Sequence, residues 1–283
     1  MAGLRARAWL LRERKPMSNE VGFDFRGKSA VITGGGSGIG KATAALLAQA
    51  GAKVALIGRD GHELEKAAED IAFGAEHPAY CVTADVSNAS EMAEAFEAIG
   101  GKLGGIDIVV ANAGINGVWA PLEELEVDEW NTTIGINLRG TFLTVKLALP
   151  YLKRRGGSVV VVSSINGTRV FSNSGATAYS CSKAAQVAFC KMTALELAKD
   201  KIRVNAVCPG AIRTNIEDST ERRSIQGLHL PVEFPDGDVP LTGGEPGRPE
   251  QVAQLIAFLA SDAAAHITGS EIFIEGGQSL LQG

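Results

Sequence analysis

The sequence predicts an α/β fold, a doubly wound parallel sheet of seven strands with helices on both faces, built as one catalytic-sized domain. Three observations carry this. From Lys28 onward, short apolar runs alternate with longer stretches of helical periodicity, which is the pattern of successive βαβ units. Several of the runs are nearly continuous in β-branched residues, as expected of strands covered on both faces. A glycine cluster, Gly34, Gly35, Gly36, Gly38 and Gly40, stands between the first run and the first helical pattern.

The strand candidates lie, in order, at 29–32, 53–57, 79–83, 106–111, 158–163, 203–207 and 271–274. Helical patterns fall at 40–50, 61–73, 89–100, 127–154, 178–199 and 249–260, where apolar residues recur at helical spacing. The stretch from 212 to 249 breaks this rhythm and holds half of the ten prolines. Loops of that length in compact domains are commonly binding segments, so a substrate lid is expected over about 213–248. Its glycines permit hinge conformations, while Ile216, Leu228, Leu230, Val232 and Phe234 offer apolar cover. Arg213, Arg222, Arg223 and His229 add charge that is either solvated or directed at an anionic group.

Composition narrows the function classes. The chain has 283 residues, 45% hydrophobic and 21% charged, with a net charge of −5, so it can bury one sizeable core. A mildly acidic body has no general attraction for nucleic acid or anionic lipid, which leaves a small molecule as the expected partner. Cys81, Cys181, Cys190 and Cys208 lack metal-ligand spacing and read as reduced thiols of a cytoplasmic protein. His62, His77, His229 and His266 are scattered, so neither a metal site nor a Ser-His-Asp hydrolase is expected. No apolar run reaches the length of a membrane span. Residues 1–20, which open with Arg5, Arg7, Arg12, Arg14 and Lys15, read as a disordered or non-native extension ahead of a domain over 21–283.

The glycine cluster has a physical purpose. Glycines between a strand and a helix allow a tight turn and let the backbone approach a pyrophosphate, with helix N–H groups aimed at its oxygens. Gly34, Ser37, Gly38, Ile39 and Gly40 are therefore expected to cradle a dinucleotide. The second strand ends at Gly58-Arg59. An acidic residue there would bond a ribose 2′-hydroxyl, whereas Gly58 leaves room and Arg59 offers a planar cation to a 2′-phosphate. NADP is thus favoured, with NAD as the alternative.

Tyr179 and Lys183 share one helical face, four residues apart. A neighbouring cation stabilises a phenolate and brings the tyrosine toward general acid or base chemistry near neutral pH. Together with the glycine loop, this pair resembles the short-chain dehydrogenase/reductase family in its compact, single-domain Rossmann branch. Further matches are Asp85-Val86, Asn112-Ala113-Gly114, Asn137, Ser163-Ser164 and Pro209-Gly210 with Ile212 and Thr214, each at the carboxyl end of a predicted strand or on a facing helix.

The resemblance implies a hydride transfer between nicotinamide and a carbonyl or secondary alcohol. Ser164 would polarise the substrate oxygen, Tyr179 would exchange its proton, and Asn137 would help Lys183 hold a water leading to solvent. Asp85 and Val86 would hold adenine, Asn112 to Gly114 would line the cofactor, and Pro209, Gly210, Ile212 and Thr214 would anchor the carboxamide. Homotetramers are implied as well, since the family commonly pairs its central helices. This chain departs from the pattern in carrying Ala111 before Asn112, and in a longer interval between Ser164 and Tyr179, which leaves Ser163 in competition with Ser164. Enoyl reduction is disfavoured by the short tyrosine-to-lysine spacing. A non-catalytic NADP-binding sensor or regulator on the same fold is the alternative reading.

Overall fold

The computed structural model describes residues 22–228 and 239–281. The expectations for His229, Leu230, Val232 and Phe234, and for the N-terminal extension, lie outside the described residues.

In chain order the elements are β1 (Ser29–Thr33), α1 (Gly38–Gln49), β2 (Lys53–Gly58), α2 (Gly61–Ala72), β3 (Tyr80–Thr83), α3 (Ala89–Leu103), β4 (Ile108–Ala111), β5 (Gly117–Trp119), α4 (Val127–Ile134), α5 (Gly140–Leu152), β6 (Gly157–Val162), α6 (Thr177–Leu197), β7 (Ile202–Pro209), β8 (Thr220–Arg222), α7 (Pro249–Ala260) and β9 (Glu271–Ile274). The expected seven strands form one sheet in the order β3-β2-β1-β4-β6-β7-β9, and every pairing is parallel.

Strand alternation divides the core. In β1, Ala30 and Ile32 face a layer with Leu46 and Leu47 of α1, Leu64 of α2 and Ile256 of α7, whereas Val31 faces Phe96 of α3, Val145 of α5 and Cys190 of α6. Local chemistry sets the helix starts. Asp60 Oδ1 accepts from the amides of His62 and Glu63 at the head of α2, Asn88 does the same for α3, and Pro249 opens α7. The strand order reverses between β1 and β4, which opens a crevice at their carboxyl ends.

Two expectations need correction. The helical pattern over 127–154 is not one helix, because a π-helical turn over Gly135–Arg139 separates α4 from α5. The stretch over 212–249 is not devoid of strand, because Thr220–Arg222 pairs in parallel with Gly117–Trp119 as a two-stranded sheet. Both strands are three residues long, too short for alternation to register.

Candidate active site

A cavity of about 880 Å³ runs along the carboxyl edge of the sheet, from Gly58 and Asp85 at one end to Tyr179, Trp119 and Glu217 at the other. The glycine loop forms one wall. Gly34 and Gly38 hold φ of +64° and +50°, a region that favours glycine. A Cβ at Gly34 would stand 2.9 Å from Asn112 Nδ2, and one at Gly36 would stand 2.9 Å from the Glu63 side chain. Ser37 is the N-cap of α1 and makes no side-chain cap bond. The loop therefore presents backbone to the cavity, with the start of α1 behind it, and it fits a pyrophosphate.

Thr33 and Asn112 lock this wall to the neighbouring strand. Thr33 Oγ1 accepts from the amides of Asn112 (3.1 Å) and Ala113 (3.2 Å), while Asn112 Nδ2 donates to the carbonyls of Thr33 and Gly34 at 3.0 and 3.2 Å. The Asn112 side chain thus braces the loop.

At the Gly58 end, Arg59 is exposed and lines the cavity with Asp60, Glu63 and Asp85. Partial burial pushes the Asp85 carboxyl up, but the Ser87 hydroxyl and amide and the charge of Arg59 hold it below its usual value. Val86 is buried, and Gly140 gives it clearance, since a Cβ there would meet Val86 at 2.8 Å.

At the other end, Ser164, Tyr179 and Lys183 are buried together. Tyr179 and Lys183 sit on the first two turns of α6, and Lys183 Nζ lies 5.5 Å from the phenol ring centroid while donating to the Val162 carbonyl at 3.0 Å. Burial lowers the Lys183 ammonium to about 8. Burial also raises the Tyr179 phenol, opposed by the Ser164 hydroxyl and assisted by the charge of Glu217. Burial is the largest of these influences on the phenol. At neutral pH the pair is a neutral phenol beside an ammonium.

The two serines separate cleanly. Ser163 Oγ donates to the Lys183 carbonyl at 2.8 Å, whereas Ser164 Oγ accepts from the Asn166 amide at 3.1 Å and bonds toward Tyr179. Asn137 sits in the π turn, fully buried. Its Oδ1 accepts from Ile115 N at 2.9 Å, and its Nδ2 donates to Ile115 O and Ser182 Oγ at 2.9 and 3.0 Å. Gln186 Nε2 of α6 donates to the Asn137 carbonyl at 2.8 Å, so the irregular turn is satisfied from the next helix.

Pro209, Gly210, Ile212 and Thr214 line the same cavity after β7. Thr214 Oγ1 accepts from Ile216 N at 3.4 Å, and its side chain approaches Gly38 across the crevice. Sequence reasoning missed Glu63 and Gln278. Gln278 Oε1 accepts from Ala211 N at 2.8 Å and fixes the loop, and the signal for it, a polar residue after the last strand, was too generic to single out. Arg213, Arg222 and Arg223 each pair with a carboxylate, namely Glu245, Glu217 and Glu129. Among the described residues there is no cluster able to hold a metal, and no helix is long and apolar enough to cross a membrane.

The chain matches, over residues 34–279, the family model described as enoyl-(acyl carrier protein) reductase. It is 38% identical over 254 residues to a 3-oxoacyl-[acyl-carrier-protein] reductase of Thermotoga maritima, covering 89% of this chain and 98% of that one. It is also 38% identical to a cis-4-hydroxycyclohexanecarboxylate dehydrogenase of Sinomonas cyclohexanicum, covering 92% and 100%. Among solved structures, a 3-ketoacyl-ACP reductase from Sinorhizobium meliloti superposes with a TM-score of 0.85 at 56% identity, covering 89% of this chain and 99% of that one. One from Brucella melitensis complexed with NADH gives 0.79 at 32% identity, covering 90% and 100%. With this cavity on this sheet, the chain belongs to the short-chain dehydrogenase/reductase family and is an NAD(P)-dependent oxidoreductase.

Proposed function

We propose that this oxidoreductase prefers NADP(H) and interconverts a ketone and a secondary alcohol, with Ser164, Tyr179, Lys183 and Asn137 as its working residues. The observation that carries the reading is the burial of Ser164, Tyr179 and Lys183 in the cavity that the glycine loop walls. The pyrophosphate lies on Gly34, Ser37, Gly38, Ile39 and Gly40, and the adenine on Asp85 and Val86. Ala113 and Gly114 line the path to the nicotinamide with Asn112 behind them, and Pro209, Gly210, Ile212 and Thr214 hold its carboxamide. Arg59 meets the 2′-phosphate, which the open Gly58 admits.

The nicotinamide, when bound, supplies or accepts the hydride. The chain does the rest. Ser164 Oγ and the Tyr179 hydroxyl donate to the substrate oxygen as negative charge builds on it, and Tyr179 yields its proton. Lys183 stabilises the phenolate that results. Asn137, held by Ile115 and Ser182, positions the water through which the proton is replaced. In oxidation the same groups work in reverse. The four-residue spacing of Tyr179 and Lys183, with Ser164 beside the phenol, favours carbonyl over enoyl reduction.

The segment over about 213–248 is the substrate lid, in keeping with the place of Thr214, Ile216, Glu217 and Ser219 on the cavity wall. A homotetramer in the cytoplasm fits the exposed apolar side chains of Phe142 on α5 and Met192 and Leu195 on α6, and the four free thiols. Steady-state assays of a carbonyl and alcohol panel, run with NADPH and with NADH, test the reading. Absence of turnover of every ketone and secondary alcohol on the panel, from protein that binds the nucleotides, would overturn the ketone and alcohol reading.

A further inference from the structure

Asp60, Glu63 and Asp85 share the Gly58 end of the cavity with Arg59, and the three carboxylates differ in what they bind. Asp60 Oδ1 accepts from the His62 and Glu63 amides at 2.9 and 3.1 Å and so serves as the cap of α2. Asp85 Oδ1 accepts from the Ser87 amide and hydroxyl at 2.8 and 2.7 Å. The Glu63 carboxylate has no hydrogen-bond or ion-pair partner among the described residues, and the side chain is exposed on the cavity wall.

Glu63 lies against the glycine loop. A Cβ built on Gly36 would stand 2.9 Å from both Glu63 Cγ and Glu63 Oε2, which puts a carboxylate oxygen at the wall that fits the pyrophosphate. The next residue of α2, Leu64, is buried, and its Cδ2 would lie 3.2 Å from a Cβ on Gly58, so the first turn of α2 is seated against the end of β2. Arg59 stands at that end, exposed and on the same cavity wall, and its charge reaches the Asp85 carboxyl. An anion and a cation therefore border the one stretch of wall between Gly36 and Gly58.

The adenosine ribose has to cross that stretch, because it joins a pyrophosphate on the loop to an adenine on Asp85 and Val86. Its 2′ substituent decides which neighbour it suits. A hydroxyl can donate to a carboxylate, whereas a phosphate offers only acceptor oxygens and negative charge. Arg59 favours the phosphate, and Glu63 favours the hydroxyl.

We propose that Glu63, reaching in from α2 rather than from the end of β2, is a second determinant of nucleotide choice. It accepts from a ribose hydroxyl of NAD(H) and opposes the 2′-phosphate of NADP(H). The preference set by Arg59 is thereby held below what the arginine alone would give, and NADH stays a usable cofactor. This rests on the placement of the dinucleotide proposed above.

Fluorescence titration of the full-length protein with NADPH and with NADH gives the ratio of their dissociation constants in the parent, in Glu63→Gln and in Glu63→Ala. Glu63 is exposed and has no partner to lose, so neither change disturbs the fold. Glu63→Gln keeps the size and an acceptor but removes the charge. It should tighten NADPH about three- to fivefold, the gain fading as salt is raised. Glu63→Ala removes the acceptor as well and should in addition weaken NADH about threefold. A merely structural effect would move both nucleotides alike and leave the ratio where it was. An unchanged ratio in Glu63→Gln, or a shift toward NADH in either variant, overturns the role of Glu63 and leaves the dinucleotide reading standing. A parent protein that binds neither nucleotide overturns both.

Discussion

Gly114 lies against both Asn137 and Lys183: a Cβ there would stand 3.2 Å from Asn137 Oδ1 and 3.5 Å from Lys183 Nζ. Asn137 reaches this position because the π turn displaces it from the regular course of a helix. Its amide serves both polar groups of Ile115 as well. Asn137→Ala leaves those partly buried groups without their partner, which costs about 1 kcal/mol for each bond lost. The expected result is a lower urea midpoint and a reduced kcat. A variant as stable and as active as the parent would remove Asn137 from the site.

Tyr179→Phe should keep the fold and nucleotide binding and lose about 10²- to 10⁴-fold in turnover, the usual worth of a positioned general acid. Ser164→Ala should cost about 10²- to 10³-fold through the lost donor to the substrate oxygen. Ser163 gives the contrast. Its hydroxyl caps the Lys183 carbonyl, so Ser163→Ala should lower stability by about 1 kcal/mol and leave most of the turnover. Kinetics of the three variants decide the roles, and a larger loss in Ser163→Ala than in Ser164→Ala would reverse the two serines.

Lys183 links stability to pH. Its folded value of about 8 lies below the unfolded value near 10.4. Below pH 8 both states carry the proton, and the cost of burying the ammonium is fully present. Between about 8 and 10.4 the unfolded chain holds a proton that the native protein has lost, so this group makes stability rise with pH. Lys183→Met removes the charge, and the variant should be inactive yet more stable at pH 7. Its advantage should shrink by about 2 kcal/mol between pH 7 and 9.5, as read by chemical denaturation. The raised Tyr179 phenol acts in the opposite sense only above pH 10. A constant gap between the two proteins would contradict a depressed lysine.

The sheet was legible because its strands are short apolar runs, several rich in β-branched residues, set between longer helical patterns. The glycine loop was legible because its neighbours in sequence are its neighbours in space. What escaped notice depends on long-range contact. The β5 to β8 pairing joins segments about a hundred residues apart, and Arg223 meets Glu129 across 94. Nothing local marks either. The π turn escaped because Gly135–Arg139 carries the same apolar spacing as a regular helix, and its distinguishing partner, Gln186, lies 49 residues onward. The phenol and lysine pair was found by spacing, whereas its burial is a property of the folded site.

The proposed preference for NADP(H) rests on Arg59. A charge-assisted bond from its guanidinium to a 2′-phosphate is worth about 1.5–3 kcal/mol, or roughly a 10- to 150-fold preference for NADPH over NADH. Gly58→Asp should erode that preference by adding repulsion. Dissociation constants from fluorescence titration are the measure, and equal or reversed values would show that Asp60 and Glu63, which share this end of the cavity, outweigh the arginine.

The proposed lid is fastened in part by Arg223. Arg223 donates through Nη1 and Nη2 to the Glu129 carboxylate at 2.9 and 2.8 Å, and through Nη2 to the Glu124 carbonyl at 2.5 Å, which fastens β8 to the head of α4. The pair is screened by solvent, so the effect of its loss is small and mostly local. It matters because β8 has three residues and, among the described residues, no sheet neighbour but β5. Arg223→Ala should therefore speed amide exchange over Thr220–Leu228 by about fivefold and raise KM more than it lowers kcat. In the parent, NADPH with substrate should slow exchange from Ile216 to Leu228, since the cavity wall there becomes a contact surface. Amides in that stretch that are already fully protected in the free enzyme, and unmoved by ligands or by Arg223→Ala, would mean that the segment is a fixed wall and that substrate enters by another side of the cavity.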